Sequence, residues 1–258
     1  MYHLKTEEMH KIAPLFEGWN ETMIWSCLQG YMGNAWVDSL VSPQSAQIIT
    51  GDFCFFSGKP NMELVKNIPT SFPSPCLLMA ATTEQWFPLI EQQYAQRAEK
   101  SIRYAFKKDT QGFDTVQLQR YANNLPSHYS LLPIDEKQYH VTSLEPWSRD
   151  LCSQFPTYED YEKRGLGFVI MEGEKIICGA SSYTVYRDGI EIEIDTHPEY
   201  RRRGLATVCA ANLILKCLEQ RLYPSWDAAN KESASLAQKL GYISDGEYTV
   251  YAVKTAHI

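Results

Sequence analysis

Glu191, Glu193 and Asp195 are followed within eight residues by Arg201, Arg202 and Arg203. The two groups suit different chemistry. The acids alternate with Ile190, Ile192 and Ile194, a period-two strand with one apolar and one acidic face. If the isoleucines pack beneath neighbouring helices, the acidic face looks into a pocket. A carboxylate there could bind a cationic amine, or take its proton through water if its pKa is raised. The same residues also read as a solvated or ion-paired strand face, and a β-bulge in this strand would shift the parity. Pro198 ends the strand. Beyond it, Leu205, Val208, Cys209, Leu215 and Leu218 recur on a helical period, so a helix opens at Gly204. The first turn of a helix presents unpaired N–H groups and the positive end of the dipole. Gly204 lets an anion approach that backbone closely. The guanidinium groups before it favour phosphate oxygens.

The elements around this run follow from the same signals. Gly167 to Met171 and Lys175 to Tyr186 read as a hairpin, and Asp188-Gly189 is a turn into the strand 190–196. After the long helix, Leu222 to Trp226 is a short apolar strand. Asn230 opens a second helix that closes at Leu240-Gly241-Tyr242, and Tyr248 to Val253 is a last strand. Upstream, Tyr129 to Ile134 is a strand and Leu144 to Cys152 a helix. Thr157 caps another helix ending at Gly165. Asn123 to Ser127 is the boundary signal, dividing the chain into residues 1–125 and 126–258. In the first part, 5–16 and 20–31 read as helices, with Asn20 as the cap of the second. Residues 35–40, 46–56, 76–80 and 101–107 read as strands, with helices over 84–94 and from Asp114 to Ala122.

The chain has 258 residues, 44% hydrophobic and 21% charged, an ordinary globular balance. No apolar run approaches the ~20 residues of a membrane span, and the N-terminus lacks a secretion signal. The expected location is cytoplasmic, with no membrane partner. The net charge of −7 argues against nucleic acid as a partner. Seven cysteines are scattered without a Cys-x-x-Cys, so neither a disulfide framework nor a metal site is expected.

The spacing Arg201-x-x-Gly204-x-Ala206 resembles the (Gln/Arg)-x-x-Gly-x-(Gly/Ala) signature of the GNAT superfamily of N-acetyltransferases. Asn230 and Ser233 before a helix closing on Gly241-Tyr242 resemble that family's next block. The element order over 127–258 is similar too. The resemblance implies an α/β chain whose C-terminal part is a mixed, mostly antiparallel twisted sheet flanked by helices. The N-terminal part reads as an α/β domain, a diverged and cofactor-free copy of the same fold. Two longer runs, from Glu193 to Ala206 and from Tyr223 to Asn230, resemble the bacterial zwittermicin A resistance-type acetyltransferases.

The family likeness implies acetyl-CoA as cosubstrate and a primary amine, of a small molecule, as acceptor. It implies direct attack in a ternary complex. It assigns the pyrophosphate to Arg202, Arg203, Gly204, Leu205, Ala206 and Thr207, with Arg201 beside them. It assigns the pantetheine arm to the strand end Ile194, Asp195 and Thr196, with Asn230 and Ser233 touching the arm. Asn230 reads equally as a helix cap. Glu193 and Glu191 are the candidate bases. The chain departs from the family at the general acid: the position of the usual tyrosine is Ala237, leaving Tyr248, Tyr251 or water. That departure keeps a second reading open, a non-catalytic acyl-CoA-binding or interaction module. A homodimer is compatible with the sequence.

Overall fold

The computed structural model describes residues 1–255. It divides into two compact units, one of Met1–Arg103 with the segment from Glu247 onward, the other of Tyr104–Gly246.

In the first unit, β1 (Tyr2–His3), β2 (Asn34–Val37), β3 (Ser45–Thr50), β4 (Phe53–Gly58), β5 (Cys76–Ala81) and β6 (Ala98–Phe106) are joined by three short helices. These are α1 (Thr22–Leu28), α2 (Met62–Val65) and α3 (Phe87–Tyr94). Strands β1 to β4 pair antiparallel in sequence order, and β4 then pairs parallel with β5. The segment 5–16 forms two 3-10 turns, and α1 is capped by Glu21, whose carboxylate accepts the Met23 N–H, rather than by Asn20.

The second unit contains α4 (Thr115–Ala122), β7 (Ser130–Pro133), α5 (Glu136–Thr142), α6 (Tyr158–Arg164), β8 (Gly167–Glu172) and β9 (Lys175–Tyr186). It continues with β10 (Gly189–Thr196), α7 (Leu205–Glu219), β11 (Tyr223–Ser225) and α8 (Lys231–Lys239). Its sheet runs β11-β10-β9-β8-β7. Strands β7 to β10 are antiparallel, and β10 pairs parallel with β11 across α7. The two sheets thus share one plan, an antiparallel meander closed by a parallel crossover. The crossover helix differs: fifteen residues in α7, four in α2. The helix expected over 144–152 is instead α5 with a 3-10 turn at Arg149–Leu151. Asp135 caps α5 by accepting the Lys137 and Gln138 N–H groups, a start signal that an apolar-period reading passes over.

The last strand, β12 (Ser244–Lys254), does not close the sheet of the C-terminal unit. It lies between β5 and β6, with Tyr251 opposite Met79 and Val253 opposite Leu77. Tyr251 and Val253 are buried with Leu77, Met79 and Trp86. Burial of these side chains fixes the partner, whereas period-two alternation fixes only the faces. By compactness the chain divides at Arg103/Tyr104 and Gly246/Glu247.

Gly241 closes α8 with φ +108°, and a Cβ there would run into the Gly112 carbonyl oxygen. Gly241→Ala combines left-handed strain with a backbone clash. It is expected to destabilise the protein by ~2 kcal/mol or more, read as a lower urea midpoint at unchanged slope.

Candidate active site

The site is built on β10. His197 donates its N–H to the Ile177 carbonyl, 2.9 Å away, continuing the β9–β10 register. Bonded pairs alternate along an antiparallel ladder. Glu193 and Asp195 therefore share main-chain bonds with β9, while Ile194 and Thr196 turn theirs to the opposite edge. That edge meets β11 only at Gly189–Tyr223, Ile190–Pro224 and Glu191–Ser225. Past Glu191 the two strands part, and among the described residues no strand pairs with the edge from Ile192 to Thr196. The register slips between Glu191 and Ile192 because Tyr183 of β9 is an extra residue. The bulge is on the partner strand, so the alternation of β10 is intact.

Opposed residues share a face, which orients β10. Thr196 Oγ1 donates to Cys178 Sγ at 3.3 Å, and Cys178 in turn touches Cys209 of α7. Gly179, opposite Asp195, lies under Leu151, and Ser181, opposite Glu193, hydrogen-bonds the Tyr161 hydroxyl of α6 at 2.8 Å. The isoleucine face is thus turned to α7 and the acidic face to α6 and the 149–151 turn. Glu193 is half-buried on that face. Glu191 corrects the expectation: it is only 3% exposed, as deep as the isoleucines. Tyrosines from β9 and β11 lie against it. Burial first, and the Glu191 charge second, push the Tyr186 and Tyr223 hydroxyls above their ordinary pKa.

Asp195 and Arg201 lock the end of the strand to the following loop. Asp195 Oδ1 accepts the Thr196 N–H at 2.6 Å and lies 3.6 Å from the Arg201 guanidinium. Arg201 Nε donates to the Thr196 carbonyl at 3.1 Å. Both main-chain groups of Thr196 are therefore engaged, and Ile194 is the residue best placed to pair with an extended ligand along the open edge. Desolvation raises the Asp195 pKa, outweighing the bond from Thr196 and the Arg201 charge. A raised folded-state pKa means that the folded chain holds this proton more tightly than the unfolded chain. Stability then falls as pH rises from the ordinary aspartate value, ~3.9, through the raised one. Asp195→Asn keeps the acceptor for Thr196. It should raise the denaturation midpoint at pH 7.5 and lose that advantage below about pH 4. A variant less stable than wild type at pH 7.5 would instead make the Arg201 pairing dominant.

The loop 197–204 leads from β10 into α7. His197 accepts the Glu199 N–H, and its ring packs against Trp147 and Tyr200. It is a turn residue. Arg202 (φ +63°) and Gly204 (φ +81°) both take left-handed conformations. Such residues recur in anion-binding nests, and the strain in a non-glycine residue marks functional loops. Gly204 is exposed and caps α7, and a Cβ built on it would meet no atom within 4 Å. The Val208 N–H bonds the Gly204 carbonyl at 3.3 Å, so the N–H groups of Leu205, Ala206 and Thr207 precede the helical ladder.

The three arginines separate. Arg201 binds the strand. Arg203 donates to the Tyr129 hydroxyl and the Glu199 carbonyl and lies 4.7 Å over the Tyr200 ring. Arg202 is exposed in the nest. A further cation was not foreseen: Lys239 Nζ donates to Thr207 Oγ1 at 3.3 Å, bringing positive charge to the start of α7. No motif spacing marks Lys239, because it arrives from the last turn of α8 by packing. Asn230 Oδ1 accepts the Ser233 N–H, and Ser233 Oγ accepts Trp226 Nε1 at 3.1 Å. The helix-cap reading of Asn230 is therefore its observed geometry.

Ala237 is fully buried, and no phenol replaces it nearby in sequence: the Tyr242 hydroxyl is buried and donates to the Pro224 carbonyl at 2.5 Å. Tyr248 and Tyr251 lie in the N-terminal unit, where the Tyr251 hydroxyl donates to Glu91. Among the described residues, no group of His, Cys, Asp and Glu could hold a metal, and no helix is long and apolar enough to cross a membrane.

β10 thus parts from its parallel partner beside an antiparallel meander, and a glycine opens the helix that follows. The chain belongs to the GNAT acetyltransferase family, whose family model matches residues 13–251. It is 42% identical to a GCN5-related N-acetyltransferase-like protein of Streptococcus suis 89/1591, with a TM-score of 0.90 over 96% of this chain and 98% of that one. It is 30% identical over 169 residues to the uncharacterized N-acetyltransferase YdfB of Bacillus subtilis (strain 168). That match spans 64% of this chain and 59% of the relative's length. A tandem GNAT protein from the clavulanic acid biosynthesis pathway shares the fold at 11% identity, with a TM-score of 0.57 over 98% of this chain.

Proposed function

We propose that the chain transfers the acetyl group of acetyl-CoA to a primary amine of a small molecule. The observation that carries this reading is the open, left-handed Gly204 at the N-terminus of α7, beside the unpaired edge of β10. The first turn of α7, with Arg202 and Lys239, supplies donors and positive charge for a pyrophosphate. The Ile194 main chain pairs with the extended pantetheine arm. Glu193 accepts the ammonium proton, directly or through water. The freed amine attacks the thioester carbonyl, the C–N bond forms, the C–S bond breaks and thiolate leaves. With alanine at 237, water supplies the proton to the leaving thiolate.

Direct attack in a ternary complex is favoured over an acyl-cysteine route by the state of the thiols. In the C-terminal unit all four cysteines are buried. Burial pushes Cys152 up to about 11 and Cys217 to about 12, and it raises Cys209 further. Such thiols stay protonated and make poor nucleophiles. The kinship of the runs 193–206 and 223–230 to the zwittermicin A resistance-type group, and a cytoplasmic location, belong to the same proposal.

The test is thiol release from acetyl-CoA across a panel of primary amines. Amine-dependent release with intersecting initial-rate lines supports the reading. Parallel lines would overturn direct attack. Acetyl-CoA binding without release for any amine would favour the second reading, a binding module, for which the buried Ala237 speaks.

A further inference from the structure

We infer that the N-terminal unit carries a binding site of its own for a small organic cation. A cavity of about 660 Å³ opens there, within the size range of small-molecule sites. Its chemistry is one-sided. Glu17, Glu84 and Glu247 line it, and no lysine or arginine does. None of the three carboxylates has an ion-pair partner among the described residues. Between them stand three aromatic side chains, Trp19, Phe87 and Tyr248.

The aromatic walls are held by packing. Trp19 stacks on Phe16 and meets Phe55 edge-on at 5.4 Å, and Phe87 lies 5.3 Å from the Tyr251 ring. Phe87 already receives a cation: Lys100 Nζ sits 5.9 Å over its ring. Aromatic faces attract ammonium groups through their quadrupole, and the three exposed carboxylates add negative potential at the cavity. An anion would be repelled by them, and a neutral ligand would gain nothing from their charge. The cavity therefore selects an organic ammonium with an apolar body.

The elements that form this cavity come from both ends of the unit. The 17–19 loop follows a 3-10 turn, Ala81 ends β5 with Thr82 just beyond it, and Glu247 to Thr249 belong to β12. The C-terminal strand thus completes the site by pairing with β5. The site stands on this unit alone and is independent of the acetyl-transfer proposal.

The experiment is calorimetry on the full chain, without acetyl-CoA, using benzyltrimethylammonium and benzylamine as cations and benzyl alcohol as the uncharged control. Saturable binding of a cation, absent for benzyl alcohol, is expected. The double variant Glu84→Gln, Glu247→Gln should weaken it by about tenfold or more, and Gly204→Glu should leave it unchanged. Quenching of tryptophan fluorescence by the cation should be lost in Trp19→Phe, which keeps the packing against Phe55. Equal binding of the alcohol, no saturable binding of either cation, or binding indifferent to the double variant would overturn the inference. Failure of acetyl transfer in the same protein would not bear on it.

Discussion

Gly204→Glu is expected to lower kcat/KM for acetyl-CoA by at least about 100-fold, roughly 2.7 kcal/mol, and to abolish measurable acetyl-CoA binding. Two effects add. A carboxylate would project from the cap of a fifteen-residue helix into the space where the anion must approach. A non-glycine residue at φ +81° also costs roughly 1 kcal/mol of backbone strain. Gly204→Ala separates the two, carrying the strain and only a methyl group of the blockade. It should lose far less than the glutamate variant. Because nothing in the protein lies within 4 Å of a Cβ at this position, both variants should keep the wild-type circular dichroism and nearly the wild-type melting temperature. A glutamate variant that still binds acetyl-CoA would remove the helix start from the site.

The second large effect belongs to Glu193. Glu193→Gln is expected to lower kcat by about 100-fold or more while leaving the KM for acetyl-CoA near its wild-type value. The glutamine keeps the shape and loses the proton acceptor. Its pH–rate profile should lose the acidic limb due to the enzyme base and retain the limb set by the amine itself. Glu191→Gln offers a contrast. That residue is only 3% exposed, and its charge acts on the Tyr186 and Tyr223 hydroxyls. Its replacement should move stability more than the pH profile. Less than a fivefold loss in Glu193→Gln with an unchanged profile would assign the proton transfer to another group.

The local structure of the candidate site was legible in sequence. The Ile/Glu alternation fixed β10 and its faces, Pro198 its end, and Arg201-x-x-Gly204-x-Ala206 the opening of α7. These signals are short-range: strand period, proline and a left-handed glycine act within a few residues. The shared plan of the two units was also legible as a repeated order of element types.

Four features were decided only by tertiary structure. Parity groups Glu191 with the half-buried Glu193 and Asp195, yet Glu191 is only 3% exposed, a depth that packing and not alternation sets. The parting of β10 from β11 after Glu191 leaves Ile194 open, and no residue pattern encodes where a parallel pair ends. Lys239 reaches Thr207 across thirty-two positions, and β12 pairs with β5, far upstream in the chain. Alternation specifies which side chains of a strand are buried. The partner is chosen by the apolar surface it must cover, and that surface exists only once the rest of the chain has folded.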